Sequence, residues 1–362
     1  MNGKANMIDR RRFFELLIAM GVAATGSTLL NGCTQPAGST SNGPGASSSS
    51  EEASNIVIDA KGNQFTIPES VDRIAITCNG GATHEVAIFG GADKIVAQPS
   101  MKRFPQLLKM YPVFNDVIDA GSFDDLNIEA LVARKPDVAL VGVSSEEGNA
   151  QIADVGIPTY VMLIGWAAID TLKQEFLNVG KILGNEAKAQ ELVERWNETF
   201  AKLDKRAAGI PTSARKKVYY LSAADITKAN KKSSWGRTWV NAIGADFAVP
   251  ESEIEGDVTI EKVFEWDPDV IVVQGGNDIE ALYANDQIKD LKAIRNRQVY
   301  SCPIAGFWWD RPSPEAILGF MWLAQTVYPE QMGDIDLKEE AKGFYRQFYG
   351  YELSDEEYLS FF

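Results

Sequence analysis

The sequence of 362 residues predicts an α/β fold of two similar lobes, each built on a parallel sheet and joined by one long helix. The first observation is a motif that occurs twice, as NIEALVARKPDVALV (127–141) and as TIEKVFEWDPDVIVV (259–273). The second is an alternation of strand and helix patterns on both sides of residues 185–206. The third is the helical pattern of those residues, whose apolar side chains recur every three or four positions. Together these observations predict one motif copy in each lobe and a ligand cleft between the lobes.

The first lobe is predicted over residues 55–184 and has the β-α-β order of a Rossmann-like lobe. A hairpin pattern around Lys61 and Gly62 comes first, and an apolar strand over residues 73–77 follows it. A glycine-rich turn then leads into a helix that starts near Thr83. The later apolar runs KIVAQ, VALVGV and IPTYVML complete a parallel sheet, because strands buried on both faces are nearly continuous in apolar residues.

Residues 185–206 are predicted as the interlobe helix. At a rise of 1.5 Å per residue this helix spans about 30 Å, the width of a small domain, so it is a candidate rigid connection. Residues 207–362 form the second predicted lobe, in which the pattern restarts with the strand KVYYLSA and a helix that ends at Gly244. The second motif copy, the strand QVYSCP and a helix that begins near Ser313 follow.

The repeated motif carries two kinds of residue. The proline of each copy, Pro136 and Pro268, ends a helix, and the aspartate after it caps the turn into the strand. The glutamates Glu129 and Glu261 lie in the first turn of each helix, where the helix dipole favours a carboxylate by about 0.3–1 kcal/mol. That local effect explains one glutamate, whereas two in register predict a matched pair of docking points.

Residues 1–32 are predicted as a signal peptide. Its arginine run (10–12) before two phenylalanines resembles a twin-arginine export signal, and its apolar stretch is too short to span a bilayer. The end of the segment resembles a bacterial lipobox, which predicts a lipid on Cys33 and anchoring to the outer face of the cell membrane. Residues 33–54 are rich in serine and glycine and are predicted as a flexible tether.

Composition excludes several classes of protein. A formal net charge of −15 argues against nucleic acid as a partner, because phosphates require a basic surface. The chain has one histidine, which disfavours a dedicated zinc site. Beyond Cys33 only Cys78 and Cys302 remain, and both follow predicted strands, so a disulfide, a contact to a soft metal and coincidence all stay open.

From about Asn55 to Phe362 the chain resembles the substrate-binding proteins of ABC importers that capture iron-siderophore, haem and cobalamin. The two motif copies and the lipobox carry the resemblance, together with RIAIT before a glycine-rich turn, IPTYV, NVGKILGNEAKAQELVERW, RNRQVYSCP and WLAQTVYPE, all in the expected order. The resemblance implies an exported, lipid-anchored monomer that has no catalytic activity and delivers its ligand to a transmembrane permease dimer with a cytoplasmic ATPase. It assigns Glu129 and Glu261 to permease docking. It also implies no permanent cofactor, and a transported ligand that contains a metal.

Ligands of parallel sheets bind at the carboxyl ends of the strands, which selects the candidate contacts. In the first lobe these are His84, beside the glycine-rich turn, and Arg103 on the loop after the second strand of the sheet. His84 is also a candidate ligand to a metal or an oxygen atom of the cargo, with an ordinary hydrogen-bonded histidine as the alternative. In the second lobe an aromatic or basic residue recurs in two loops, where tryptophans would stack on a macrocycle or catechol and arginines would fix carboxylates. These candidates are Trp235, Arg237, Trp308, Trp309 and Arg311.

The predicted function is therefore capture of an iron chelate, haem or a corrinoid for import. An alternative with the same fold is a metal oxyanion such as molybdate or tungstate, held by the glycine-rich turn and Arg237 or Arg311. A rival from another class is an exported α/β enzyme, which would have to use His84 as its base because no other histidine is present. A further rival is a surface adhesin of the same fold that transports nothing.

Overall fold

The computed structural model describes residues 55–79, 81–231, 234–254 and 257–362. The predicted signal peptide, Cys33 with its predicted lipid and the predicted tether lie outside these residues. Within the described ranges no helix is long and apolar enough to cross a membrane.

Two four-stranded parallel sheets form the framework, as predicted. The first has the strand order β4-β3-β7-β8 and the second the order β10-β9-β11-β12, and two short antiparallel hairpins pair β1 with β2 and β5 with β6. The strands are β1 (Ile56–Ile58), β2 (Gln64–Thr66), β3 (Ile74–Ile76), β4 (Ile95–Ala97), β5 (Gly121–Ser122), β6 (Asp125–Leu126), β7 (Val138–Gly142), β8 (Thr159–Met162), β9 (Lys217–Leu221), β10 (Asp246–Phe247), β11 (Val270–Val273) and β12 (Val299–Ser301).

Helices cover the sheets and form the crossover connections that parallel strands require. They are α1 (Ala82–Ile88), α2 (Pro105–Met110), α3 (Ile128–Ala133), α4 (Glu146–Asp154), α5 (Ile169–Ile182), α6 (Glu186–Ala207), α7 (Ser234–Ala242), α8 (Ile260–Trp266), α9 (Glu280–Tyr283), α10 (Lys292–Arg295), α11 (Ala316–Val327), α12 (Pro329–Met332), α13 (Leu337–Phe344) and α14 (Asp355–Leu359). A single π-helical turn, Tyr345–Tyr349, follows α13.

Helix α6 is the predicted long helix, and its 22 residues lie between the strands of the first sheet and those of the second. Its apolar face packs in both directions through Trp196, which is fully buried. The Trp196 ring lies 5.3 Å from that of Phe176 on α5 and 6.1 Å from that of Phe320 on α11, and its Nε1 donates to the carbonyl of Pro314 at 3.3 Å. One apolar core therefore runs from the first sheet through α6 to the second.

The strand patterns also decide which side chains enter which core. In β3 and β7 the alternate residues Ile74, Ile76, Val138 and Leu140 join the large core. Their neighbours Ala75, Ala139 and Val141 instead join a smaller apolar cluster on the opposite face of the first sheet. This two-residue period explains the continuous apolar runs, because both faces of a parallel sheet are covered.

The two copies of the repeated motif fold alike. In each, the residue before the proline adopts a left-handed conformation, with φ of 48° at Lys135 and 44° at Asp267. The aspartate after the proline caps the start of the neighbouring strand and not, as predicted, the turn into its own strand: Asp137 Oδ2 accepts from the backbone N–H groups of Asp72 and Arg73, and Asp269 Oδ2 accepts from that of Lys217.

In each copy a basic residue at the start of the neighbouring strand also caps the carboxyl end of the motif helix. The Arg73 guanidinium donates to the carbonyls of Arg134 and Lys135, and the Lys217 ammonium donates to that of Trp266 at 3.0 Å. A cation at the last helical carbonyls is stabilising because these carbonyls have no partner within the helix. The helix-to-strand junction is thus a complete structural unit that is used twice.

Candidate ligand cleft and docking surface

The carboxyl ends of the two sheets lead into loops that meet between the lobes. His84 on α1 of the first lobe is buried, and its Nε2 lies 2.8 Å from the carbonyl oxygen of Gly306 in the loop after β12. Its ring lies 4.5 Å from that of Phe307. Phe104, at the start of α2, contacts the rings of both Phe307 and Trp308. This aromatic cluster connects the two lobes beside the predicted cleft.

The state of His84 follows from its surroundings. Burial lowers the pKa of the imidazole to about 4, so the ring is neutral at neutral pH. A carbonyl only accepts, so Nε2 carries the proton and donates to Gly306. This arrangement gives His84 a structural contact between the lobes and leaves Nδ1 as a buried acceptor for which no donor is found among the described residues.

Trp308 and Arg103 form one half-open surface at the edge of this cluster. Trp308 is partly buried, and the Arg103 guanidinium lies over its ring, with Cζ 5.3 Å from the ring centroid. Arg103 itself is exposed, and so is the neighbouring Lys102. The structure therefore brings together one candidate from each lobe.

Arg311 lies at the carboxyl ends of β9 and β11, where polar side chains of the second lobe hold its guanidinium. Its guanidinium donates to Gln274 Oε1 at 2.7 Å and to the Tyr220 hydroxyl, which in turn donates to Asp310 Oδ2 at 2.7 Å. Burial raises the pKa of Asp310, and Arg311 lies 3.9 Å from the same carboxyl oxygen. Arg311 keeps a partly exposed face, so it is a cation that is fixed in orientation and still open to an anion.

Three of the predicted ligand contacts have other roles in the structure. Trp309 is fully buried and donates from Nε1 to Glu315 Oε2 at 3.2 Å, and Trp235 is buried against Phe320. Arg237 donates to the carbonyl of Val249 at 2.8 Å and stacks on Phe247, on the β10 side of the sheet. Neither buried ring offers surface to a ligand in this structure. The expectation for Trp309 misjudged the direction of its side chain, because the chain turns so that adjacent tryptophans point to opposite sides.

Further residues, which the sequence patterns did not indicate, lie in the same region. Trp166, on the loop after β8, is 55% exposed, and its short 3₁₀ turn contacts α7 of the second lobe. Ile164, two residues earlier, has a φ of 50°, which is unusual for a β-branched residue. Gln274 and Tyr220 were also not singled out. Their position directly after or within strands was the available signal, but an isolated glutamine or tyrosine there is common.

A buried pair of carboxyl groups supports this loop from below. Glu85 on α1 and Glu175 on α5 face each other inside the first lobe, and Glu175 Oε2 accepts from the N–H of Leu163 at 2.7 Å. Burial raises the pKa of Glu175 to about 8, and burial together with the Glu175 charge raises that of Glu85 well above its usual range. Burial therefore favours the protonated form of these carboxyl groups at neutral pH, directly beneath the loop that Glu175 holds at Leu163.

The two cysteines do not bridge each other. Both are buried, and Cys302 is a free thiol whose pKa is raised by burial. No group of three or more histidine, cysteine, aspartate or glutamate residues within the described ranges is arranged to hold a metal ion. A concavity of about 570 Å³ near Lys216 and Asp269 lies at the amino ends of the second sheet, the opposite end from where ligands of parallel sheets bind.

Glu129 and Glu261 both lie exposed in the first turns of α3 and α8. Each helix is capped by the residue before it: Asn127 Oδ1 accepts from the N–H of Ala130 at 2.9 Å, and Thr259 Oγ1 from that of Lys262 at 3.4 Å. The Thr259 hydroxyl also lowers the pKa of Glu261. The structure thus gives the two glutamates equivalent positions, one in each lobe.

These features define a two-lobed α/β binding protein. The sequence profile of a family described as periplasmic binding protein matches residues 76–305, and the chain belongs to this family. This confirms the predicted class, a solute-binding protein of the ABC importer type and not an enzyme.

Individual relatives cover nearly the whole described chain. The molybdate-binding protein MolA of Haemophilus influenzae is 27% identical over 325 residues, which cover 82% of this chain and 91% of that protein. The Fe(3+)-citrate-binding protein YfmC of Bacillus subtilis is 21% identical and covers 79% of this chain and 89% of its own. A periplasmic solute binding protein of Veillonella parvula has a similar solved structure, with a TM-score of 0.71, 24% identity and coverage of 84% and 96%.

Proposed function

We propose that the protein captures an anionic metal chelate between its lobes and delivers it to an ABC importer. The observation that carries this proposal is the contact of Arg103 in the first lobe with Trp308 in the second, together with the partly exposed Arg311 three residues later on the same loop. It combines one aromatic face with two cations contributed by different lobes. An iron-siderophore, haem or corrinoid presents a large unsaturated or ring surface together with carboxylates or other oxygen ligands. Such a ligand matches this surface better than a small neutral solute does.

A metal oxyanion is the second candidate. It is supported by the similarity to a protein named for molybdate binding over most of the chain. A tetrahedral oxyanion is small enough to be held by the Arg311 guanidinium, with Gln274 beside it, and needs no aromatic surface. The two candidates therefore differ in whether Trp308 and Arg103 contribute to affinity.

The proposal extends to the ends and surface of the chain. We propose that a lipid on Cys33 anchors the exported, monomeric protein and that Glu129 and Glu261 contact the permease. The support is the lipobox-like sequence for the anchor, and the equivalent exposed positions for the glutamates. Cys33→Ser is expected to move the protein from the membrane fraction to the soluble exported fraction, while leaving ligand binding unchanged.

The ligand is identified by titrating the purified protein with ferric citrate, a ferric hydroxamate, haemin, cobalamin and molybdate and following tryptophan fluorescence. Visible absorption and elemental analysis of anaerobically purified protein test the same choice with whatever co-purifies. Binding of a chelate that is weakened about tenfold or more by Trp308→Ala and by Arg103→Ala supports the first candidate. Lys102→Ala is the matched control, because it removes the same charge at the next position of the same loop.

Molybdate binding that is unaffected by Trp308→Ala and abolished by Arg311→Ala selects the second candidate. Absence of binding to every probe, with a folded protein and no co-purified metal, contradicts the proposal as a whole.

A further inference from the structure

Next to each exposed glutamate of the repeated motif lies an exposed apolar side chain. Val132 on α3 is 44% exposed and Phe264 on α8 is 40% exposed. Each lies three residues after its glutamate, Glu129 or Glu261, and residues three apart are neighbours on one helix face. The carboxylate and the apolar side chain of each helix therefore share one outward surface.

The two pairs occupy equivalent places. Val132 and Phe264 stand 132 positions apart, the same offset as the two glutamates. The residues just before them, Leu131 and Val263, are both fully buried, so the inward face of each helix is also equivalent. Of the eight large apolar side chains that are most exposed in the described part of the chain, no other two are related by this offset.

Local structure gives no reason for these residues. A β-branched or aromatic residue on the solvent side of a helix has a lower helix propensity than alanine or lysine. A single exposed apolar residue is ordinary, but two at matched positions beside matched carboxylates indicate a surface that is covered in use. The caps and left-handed residues of both junctions hold the two surfaces in the same conformation.

We infer that each docking point is composite, a carboxylate with an apolar side chain beside it, and that the occupant is the permease dimer of the importer. This inference rests on the proposed function and adds Val132 and Phe264 to it. Two equivalent points on one chain fit a partner that presents the same site twice, as a two-fold symmetric dimer does. Glu129 and Glu261 form no ion pair within the described residues, so the complementary site is a basic side chain next to an apolar recess.

The two docking points have the same composition but differ in apolar area, because phenylalanine has a much larger apolar surface than valine. Desolvated aromatic residues contribute the most at interfaces. We therefore expect Phe264→Ala to weaken docking about tenfold and Val132→Ala about threefold. The double variant is expected to multiply the two losses, since the sites lie in different lobes.

The experiment measures binding of the full mature chain to the purified permease–ATPase complex in lipid nanodiscs by surface plasmon resonance. Val155→Ala is the matched control, because Val155 is 45% exposed at the end of another helix, outside both motif copies. Ligand titration by tryptophan fluorescence and thermal unfolding verify that each variant folds and binds. Glu129→Gln and Glu261→Gln are measured in parallel.

Weakened docking in Phe264→Ala and Val132→Ala, with Val155→Ala unchanged, supports the inference. If the glutamate variants lose docking while the apolar variants keep it, the inference is overturned and the proposed docking by Glu129 and Glu261 stands. If none of the four variants changes docking, both fail. If the apolar variants instead abolish self-association of the chain in size-exclusion chromatography, the surface belongs to a second copy of this protein and the inference is likewise overturned.

Discussion

The two lobes are nearly identical at their helix-to-strand junctions and unlike at the carboxyl ends of their sheets. At the junctions a side-chain cap, a left-handed residue and a strand-capping aspartate recur at equivalent positions. At the carboxyl ends, the first lobe presents a neutral histidine above a buried acid pair, whereas the second presents a fixed arginine. This difference distinguishes the structural framework, which is repeated, from the loops at the carboxyl ends of the sheets, which are not. In the proposed function, the repeated surface meets a symmetric partner and the divergent surface meets an asymmetric ligand.

The divergence is also electrostatic. In the first lobe burial keeps His84 uncharged and keeps a proton on the Glu85–Glu175 pair. In the second lobe Arg311 stays charged beside Asp310, whose pKa burial raises. In the proposed function, the ligand meets the fixed cation Arg311 on the side of the second lobe and the exposed Arg103 on the side of the first.

The largest expected effect tests this asymmetry directly. Arg311→Ala removes the oriented cation and is expected to weaken binding of an anionic ligand about 100-fold, because a charge-assisted contact of about 1.5–3 kcal/mol is lost. The measurement is the fluorescence titration with the ligand identified above. Arg237→Ala is the control, since that guanidinium is engaged at the carbonyl of Val249. Equal losses in both variants would show that the second lobe has no single anion position.

The next effect concerns the acid pair of the first lobe. In the folded protein the pKa of Glu175 is raised to about 8. Between the ordinary pKa of a glutamate and pH 8, the folded protein therefore binds a proton that the unfolded chain has released. Raising the pH from 5 to 8 therefore lowers the free energy of unfolding, by about 1–3 kcal/mol, and the loss is complete above about pH 8.

Glu85→Gln is expected to reduce this pH dependence, because the amide donates to Glu175 without adding a second charge. Chemical denaturation at pH 5, 6.5 and 8 measures it, and Glu198→Gln on the exposed face of α6 is the control. A parent protein whose stability is flat over this range would contradict the raised pKa of Glu175.

The smallest effect tests the likeness of the junctions. Lys135→Gly and Asp267→Gly relieve a left-handed backbone conformation at equivalent positions, and each is expected to change stability by less than about 1 kcal/mol in the same direction. Thermal unfolding of the two variants measures the shift. Stability changes of opposite sign would mean that the two junctions share a backbone conformation but differ in how much that conformation costs in free energy.

The sequence predicted most of the framework and part of the site. The strands, the junctions and the long helix follow from apolar periodicity and from proline and capping residues, which act over a few positions. Residue spacing also placed Trp308, Arg103 and Arg311 on loops at the right ends of the strands. It could not show that Trp309 turns into the core, or that Glu85 and Glu175 meet, because loop direction and contacts between distant helices depend on packing.

The continuous apolar core around Trp196 has a consequence for how the molecule comes apart. Because Phe176 of the first lobe and Phe320 of the second pack on the same ring, neither lobe can melt without exposing the other. Heating should therefore give one calorimetric transition whose enthalpy belongs to both lobes at once. A bound ligand would then raise the melting temperature of the entire chain, so thermal shift can serve as a screen for the cargo even when the ligand touches only a few loops.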